Sequence, residues 1–181
     1  MRIGAALVPL PPAAFLQATA AGEAALLSAV RDIVGGATRI ADLFAGIGTF
    51  ALPLAESADV HAVEGDAAMT AALDRGWRGA PGLHRVTTET RDLFRRPLLP
   101  DELDRFDALV IDPPRAGAEA QMREIAASRV PVVAALSCNP VTFARDSRIL
   151  TDGGYRLDHV QVVDQFRWSP HVELAARFAR A

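Results

Sequence analysis

Apolar positions alternate from one end of the chain to the other between short continuous runs and stretches with helical spacing, and no internal repeat, low-complexity tract or linker divides them. Strands are predicted at Arg39–Phe44, Asp59–Val63, Leu83–Thr88, Asp107–Ile111 and Val130–Leu136, each followed by a helical or loop segment. That alternation is the mark of α/β proteins. Ahead of the first strand, a helix is predicted from an N-cap at Thr19 through Ala24, Leu27 and Val30 to a stop at Gly35-Gly36. After a helix over Pro140–Leu150, two strands at Tyr155–Val163 and Val172–Phe178 are joined by a short connection. A parallel pair needs a crossover of roughly a dozen residues or more, so these two must be antiparallel neighbours. The expected architecture is one domain over residues 1–181, with a leading segment and helix (1–37) followed by a core sheet (38–181) of seven mostly parallel strands in three layers.

Composition narrows the setting. With 181 residues, half of them hydrophobic, the chain can fill one sizeable core. The net charge of -3 gives no electrostatic footprint for a nucleic acid. All of the basic residues are arginine, which suits phosphate and base-edge contacts, although an Ala- and Arg-rich genome explains the bias more simply. A single cysteine, Cys138, excludes an internal disulfide and points to the cytoplasm. Arg2 with Ala18-Thr-Ala20 imitates a secretion signal, but Pro9, Pro11 and Pro12 break the apolar stretch. His61, His84, His159 and His171 show no metal spacing, so no metal is expected. Asp101–Arg105 reads as a solvated loop.

Candidate chemistry lies where the predicted strands end. The first runs into Asp42-Leu-Phe44-Ala-Gly46-Ile-Gly48-Thr49-Phe-Ala51, a glycine turn between strand and helix, where a ligand can approach the backbone and meet free N–H groups. Glu64 closes the second strand, where a carboxylate can bind ribose hydroxyls, and Asp92 follows the third, as a cofactor contact or a cap. These features also satisfy a nicotinamide fingerprint, so the glycine loop alone does not decide. The fourth strand ends in Asp112-Pro113-Pro-Arg-Ala-Gly117 and the fifth in Ser137-Cys138-Asn139-Pro140. Strand carboxyl ends rim the ligand crevice of an open α/β sheet, so all these segments should converge. The prolines are expected to stiffen their loop and leave carbonyls free. Cys138, just ahead of a helix start, is expected to have a lowered thiol pKa.

Taken together, the segments beginning at Asp42 and Asp112, Ser137-Cys-Asn-Pro-Val-Thr-Phe-Ala-Arg-Asp146 and Asp164-Gln-Phe-Arg-Trp-Ser-Pro-His-Val-Glu173 resemble the motifs of the RNA uracil-C5 methyltransferase family, in order and spacing. Phe15-Leu-Gln17 is similar to the family's segment ahead of the fold. The resemblance implies a class I methyltransferase (Rossmann-like) fold, S-adenosyl-L-methionine as cofactor and RNA (tRNA or rRNA) as substrate. It implies cofactor contacts from Gln17, Asp42, Phe44, Gly46, Gly48, Thr49, Glu64, Asp92 and Asp112. Asp112, Pro113 and Asn139 would meet the uracil, Cys138 would be the nucleophile and Glu173 the base. A thiol is wanted because C5 of uracil is a poor nucleophile until addition at C6 loads it with electron density.

The segment Gln165–Pro170 departs from the family's usual Phe-Pro-His-Thr-type run, and Thr49 stands where many relatives have Asn. The family's extra N-terminal RNA-binding parts and its iron–sulfur cysteines have no counterpart here, and the acidic balance predicts slow or absent activity on RNA without help. Rival readings are an amino-directed nucleic-acid methyltransferase, which would not need Cys138, and a cofactor-binding remnant without turnover. Trp77 reads as helix packing and Trp168 as a residue that can touch substrate.

Overall fold

The computed structural model describes residues 1–12, 14, 16–165, 168–169 and 171–180; Phe15 and three residues of the Gln165–Pro170 segment lie outside that set. Its centre is a seven-stranded sheet in the order β5-β4-β3-β6-β7-β9-β8. The strands are β3 (Arg39–Leu43), β4 (Asp59–Glu64), β5 (Val86–Thr90), β6 (Ala108–Ile111), β7 (Val132–Ser137), β8 (Tyr155–Val163) and β9 (Glu173–Arg180). Only β9 runs against the others: it pairs antiparallel with both β7 and β8, while β3 to β7 pair in parallel. The expected antiparallel neighbours are therefore β8 and β9, with β9 inserted between β7 and β8.

Side-chain alternation builds two cores, one on each face. Ile40, Val60, Ala62, Val110, Ala134 and Ala175 face a layer made by α1 (Ala20–Val34), α2 (Ala51–Leu54) and α3 (Ala67–Arg78). Ala41, Leu43, Val63, Leu109, Ile111 and Phe178 face α4 (Pro100–Leu103), α5 (Glu119–Ala127) and α6 (Pro140–Asp152). Each interior strand is thus buried on both sides, which explains its continuous apolar run. α1 starts where expected: the Thr19 side chain accepts a hydrogen bond from the Gly22 amide, and Gly35, at φ 55°, turns the chain out of the helix.

Three details differ from the sequence expectation. Strand β5 begins at Val86 rather than Leu83, because Gly82 turns at φ 86° and the His84 amide is already bonded to Ala55 O. A short hairpin, β1 (Arg2–Ile3) with β2 (Ala6–Leu7), precedes α1 and buries Ile3, Ala6 and Val8 in the first core. The expected loop over Asp101–Arg105 contains α4 instead. It is held by Glu102, whose carboxylate takes two hydrogen bonds from Arg91 and one from the Leu99 amide.

Candidate active site

Strand register brings the chemistry-bearing residues to one edge. Leu43 pairs with both Val63 and Ile111, Ile111 pairs with Ala135, and Ser137 pairs with Leu174 of the reversed strand β9. Glu64, Phe44, Asp112, Cys138 and Glu173 consequently follow one another along a single rim. Strand order reverses between β3 and β6, so the rim opens into a crevice between the glycine loop and the Asp112 loop.

The glycine loop leaves β3 through Phe44, the only non-glycine residue at positive φ (61°) among those described, with its ring tilted against Phe94 at 5.3 Å. Gly46 and Gly48 both have positive φ, for different reasons. A Cβ on Gly48 would lie 2.9 Å from Leu52 and Leu73, so close packing demands glycine there. A Cβ on Gly46 would meet nothing within 4 Å and would project into open space. The Gly46 amide donates to Glu64 at 2.9 Å, and the other Glu64 oxygen accepts from the Asp66 amide at 2.9 Å. Thr49 follows, half-buried. Asp42 is 1% exposed, and neither carboxyl oxygen has a full hydrogen-bond partner. Burial, with Asp112 and Glu64 nearby, drives its pKa well upward, and the Ala51 amide opposes this only weakly.

An orphaned buried carboxyl beside a glycine whose missing side chain leaves a cradle fits a cofactor with a cationic amino-acid end and a ribose. Asp42, Gly46 and Glu64 are the groups placed to hold one. Gln17 is half-buried before α1, and its side-chain oxygen accepts from Gln165 at 2.8 Å. Asp92 is exposed, and its carboxylate caps the turn at Phe94 and Arg95, so in this structure it is already occupied.

Across the crevice, Asp112 is pushed up to about 7 by burial and by Glu173. Glu173, 5% exposed, is raised by burial and lowered by a hydrogen bond from Gln165 and by Arg115. The Cys138 thiol is raised by partial burial, Glu173 and Asp112, against the pull of Arg115. This corrects the expected lowering: the cysteine precedes the cap rather than sitting in the first turn of α6, and two carboxyl groups outweigh the helix end. Asn139 is the N-cap, accepting from the Val141 amide at 3.1 Å, and its amide donates to Arg115 O at 3.0 Å. Pro113 is buried.

The carbonyls of the proline loop are less free than expected. Pro114 O accepts from the Gly117 amide, Arg115 O from Asn139 and Thr142, and Ala116 O from Arg145. Buried Asp146 locks the same loop by accepting the Ala118 amide at 2.8 Å. Asp146 and Arg115 lie within the recognised segments, yet their roles were not read from the sequence. A carboxylate in the middle of an amphipathic helix was the available signal for Asp146. Trp77 does pack, donating to His84 O at 3.0 Å, whereas Trp168 is 99% exposed.

A profile of the tRNA (uracil-5-)-methyltransferase family matches residues 80–180. An uncharacterised RNA methyltransferase of Mesorhizobium japonicum is 61% identical over 96% of this chain and 42% of its own length. The 23S rRNA (uracil(1939)-C(5))-methyltransferase RlmD of Psychrobacter arcticus is 40% identical over 78% of this chain and 28% of its own. The Pyrococcus abyssi tRNA (uracil-54, C5)-methyltransferase, solved with S-adenosyl-L-homocysteine, superposes with a TM-score of 0.80 at 28% identity, covering 94% of this chain and 41% of that one. The chain therefore spans about two-fifths of the length of curated relatives that it matches along almost all of its own length. With more than half of its residues matched by the profile, it belongs to the tRNA (uracil-5-)-methyltransferase family.

Proposed function

We propose that residues 1–181 act as one S-adenosyl-L-methionine-binding catalytic unit that methylates C5 of a uridine in tRNA or rRNA through a covalent bond from Cys138 to C6. The observation that carries this reading is the convergence of a thiol and two carboxyl groups at the rim that also bears an orphaned Asp42: Glu173 raises the pKa of Asp112, and both carboxyl groups raise that of Cys138. An amino-directed enzyme would have no use for the thiol. Relatives named for uridine methylation of rRNA and tRNA support the base and leave both RNA classes open.

Bound S-adenosyl-L-methionine would supply the methyl group, held at Asp42, the Gly46 backbone and Glu64, with Gln17, Phe44, Thr49 and Asp92 lining its approach. Asp112, near half-protonation at neutral pH, can donate to or accept from the edge of the pyrimidine. The Cys138 sulfur forms a bond to C6 as its thiol proton passes to the ionised form of the neighbouring Asp112, and the electron pair displaced from the C5–C6 bond moves towards C5. Once C5 carries the methyl group, Glu173 takes the C5 proton, the C5–C6 double bond re-forms and the thiolate departs. Burial keeps Glu173 basic enough for that step, and the Arg115 charge keeps the cluster from holding every proton.

The test is methyl transfer from labelled cofactor to in-vitro-transcribed tRNA and rRNA, followed by digestion to nucleosides. Label in 5-methyluridine, lost in Cys138→Ala, is expected. Label in a base methylated on an exocyclic amine, retained in that variant, would replace this function with the amino-directed one.

A further inference from the structure

The segment between β8 and β9 supplies a group that neither the family's motifs nor the rim assigns. Gln165 is 9% exposed, its amide nitrogen donates to Gln17 Oε1 at 2.8 Å, and its side-chain amide is near enough to Glu173 to lower that carboxyl's pKa. Its amide oxygen is buried without a partner, turned towards α1. There the helix carries Gly22, where a Cβ would come within 2.8 Å of the Gln165 amide carbon. Glycine in a helix costs stability relative to alanine by roughly 1 kcal/mol. A glycine directly beneath a buried amide is therefore a seat for it.

We propose that Gln165 is the positioning residue of Glu173, held over Gly22 so that one amide group ties the base to Gln17 on the cofactor side of the crevice. This rests on reading Glu173 as the base. Among the described residues, the titratable and charged groups facing Glu173 are Asp112 beyond β6, Cys138 beyond β7 and Arg115 in the loop leading to α5, itself in contact with His171; α1 presents the uncharged Gly22. Among these, Arg115 and Gln165 favour the ionised carboxylate, and only Gln165 links it to the opposite wall. Losing it leaves the carboxylate buried with one supporter fewer. The proton at C5 then meets a base that is less well aimed and more often already protonated.

The test separates two steps of the reaction. Transcribed tRNA and rRNA carrying 5-fluorouridine report adduct formation at Cys138, which needs no removal of a C5 proton, whereas the same RNAs carrying tritium at C5 report that removal. Gln165→Met is expected to slow tritium release about ten- to a hundredfold, the scale of a lost hydrogen bond to a charged group, while adduct formation changes less than about threefold. In carboxyl-labelled protein, with Glu173 assigned through Glu173→Gln, its acid constant should fall about tenfold. Gly22→Ala, which displaces the amide without altering it, should reproduce both effects. An unmoved Glu173 titration, or equal slowing of both steps, would overturn the proposal. Failure of the unaltered protein to form the fluorouridine adduct at saturating RNA, where weak binding no longer limits the reaction, would instead overturn the reading beneath it.

Discussion

Strand β6 carries an aspartate at each end, and the two have opposite fates. At the lower end, Asp107 accepts hydrogen bonds from the Thr38 amide, the Thr38 hydroxyl, the Arg39 amide and the Arg39 guanidinium, which hold its pKa at about 2. At the upper end, Asp112 has burial and Glu173 for company and is pushed up to about 7. The lower carboxylate stitches the entry of β3 to the entry of β6 and has no capacity left for a ligand. The upper one lies beside Asp42 on the neighbouring strand, whose buried carboxyl oxygens are orphaned. One edge of the sheet is built for stability and the other keeps its polar groups available, as expected where binding and chemistry occur.

The contrast is sharpest in the reaction itself. Cys138→Ala removes the proposed nucleophile, and 5-methyluridine formation should fall below detection, a loss of about a thousandfold or more. Glu173→Gln keeps the thiol but removes the proposed base. Turnover should fall roughly 10²–10⁴-fold while the methylated RNA–protein adduct accumulates on denaturing gels, and a variant that turns over freely would show that another group takes the C5 proton.

Stability should respond with opposite signs at the two ends of β6. Asp112 has a raised folded pKa, so whatever stability it confers is present below its unfolded value of 3.8 and is lost as pH rises towards 7. Asp112→Asn should therefore stabilise the protein by about 2 kcal/mol at pH 8, after allowing for solvent screening, and should give little gain near pH 4. Asp107 has a depressed folded pKa, so its contribution is present above 3.8 and is lost as pH falls towards 2. Asp107→Asn should cost about 1 kcal/mol at pH 7 and progressively less in acid. Chemical denaturation at several pH values measures both, and equal signs would break the comparison.

The sequence carried much of this contrast, unevenly. Interior strands buried on both faces announce themselves as apolar runs, and the C-terminal pair was readable because its connection is too short for a crossover. The β1–β2 hairpin was not, because each strand has only two residues and its apolar positions merge with a Pro-rich stretch. Short α4 was hidden for a similar reason: its charges looked solvated until Arg91, eleven residues earlier, closed on Glu102. Within the site, residue types at strand ends singled out Asp42, Asp112, Cys138 and Glu173 as candidates, and strand register brings them to one edge. Their electrostatics could not be read in the same way. A helix start after Cys138 argued for a lowered thiol pKa, but the opposing carboxyl groups come from Asp112 and Glu173, which only strand register sets beside it. Gln165 was visible as a departure from the family run, and its role needed the clearance at Gly22.

The central claim is the bond between Cys138 and a uracil, and intact-mass analysis tests it most directly. The protein is incubated with S-adenosyl-L-methionine and RNA containing 5-fluorouridine, whose fluorine cannot leave C5 as a proton does. A stable species with the mass of protein plus methylated RNA, absent from Cys138→Ala, is the predicted result. An adduct that survives in Cys138→Ala, or 5-methyluridine formed on ordinary RNA with no adduct on the fluorinated one, would contradict the account.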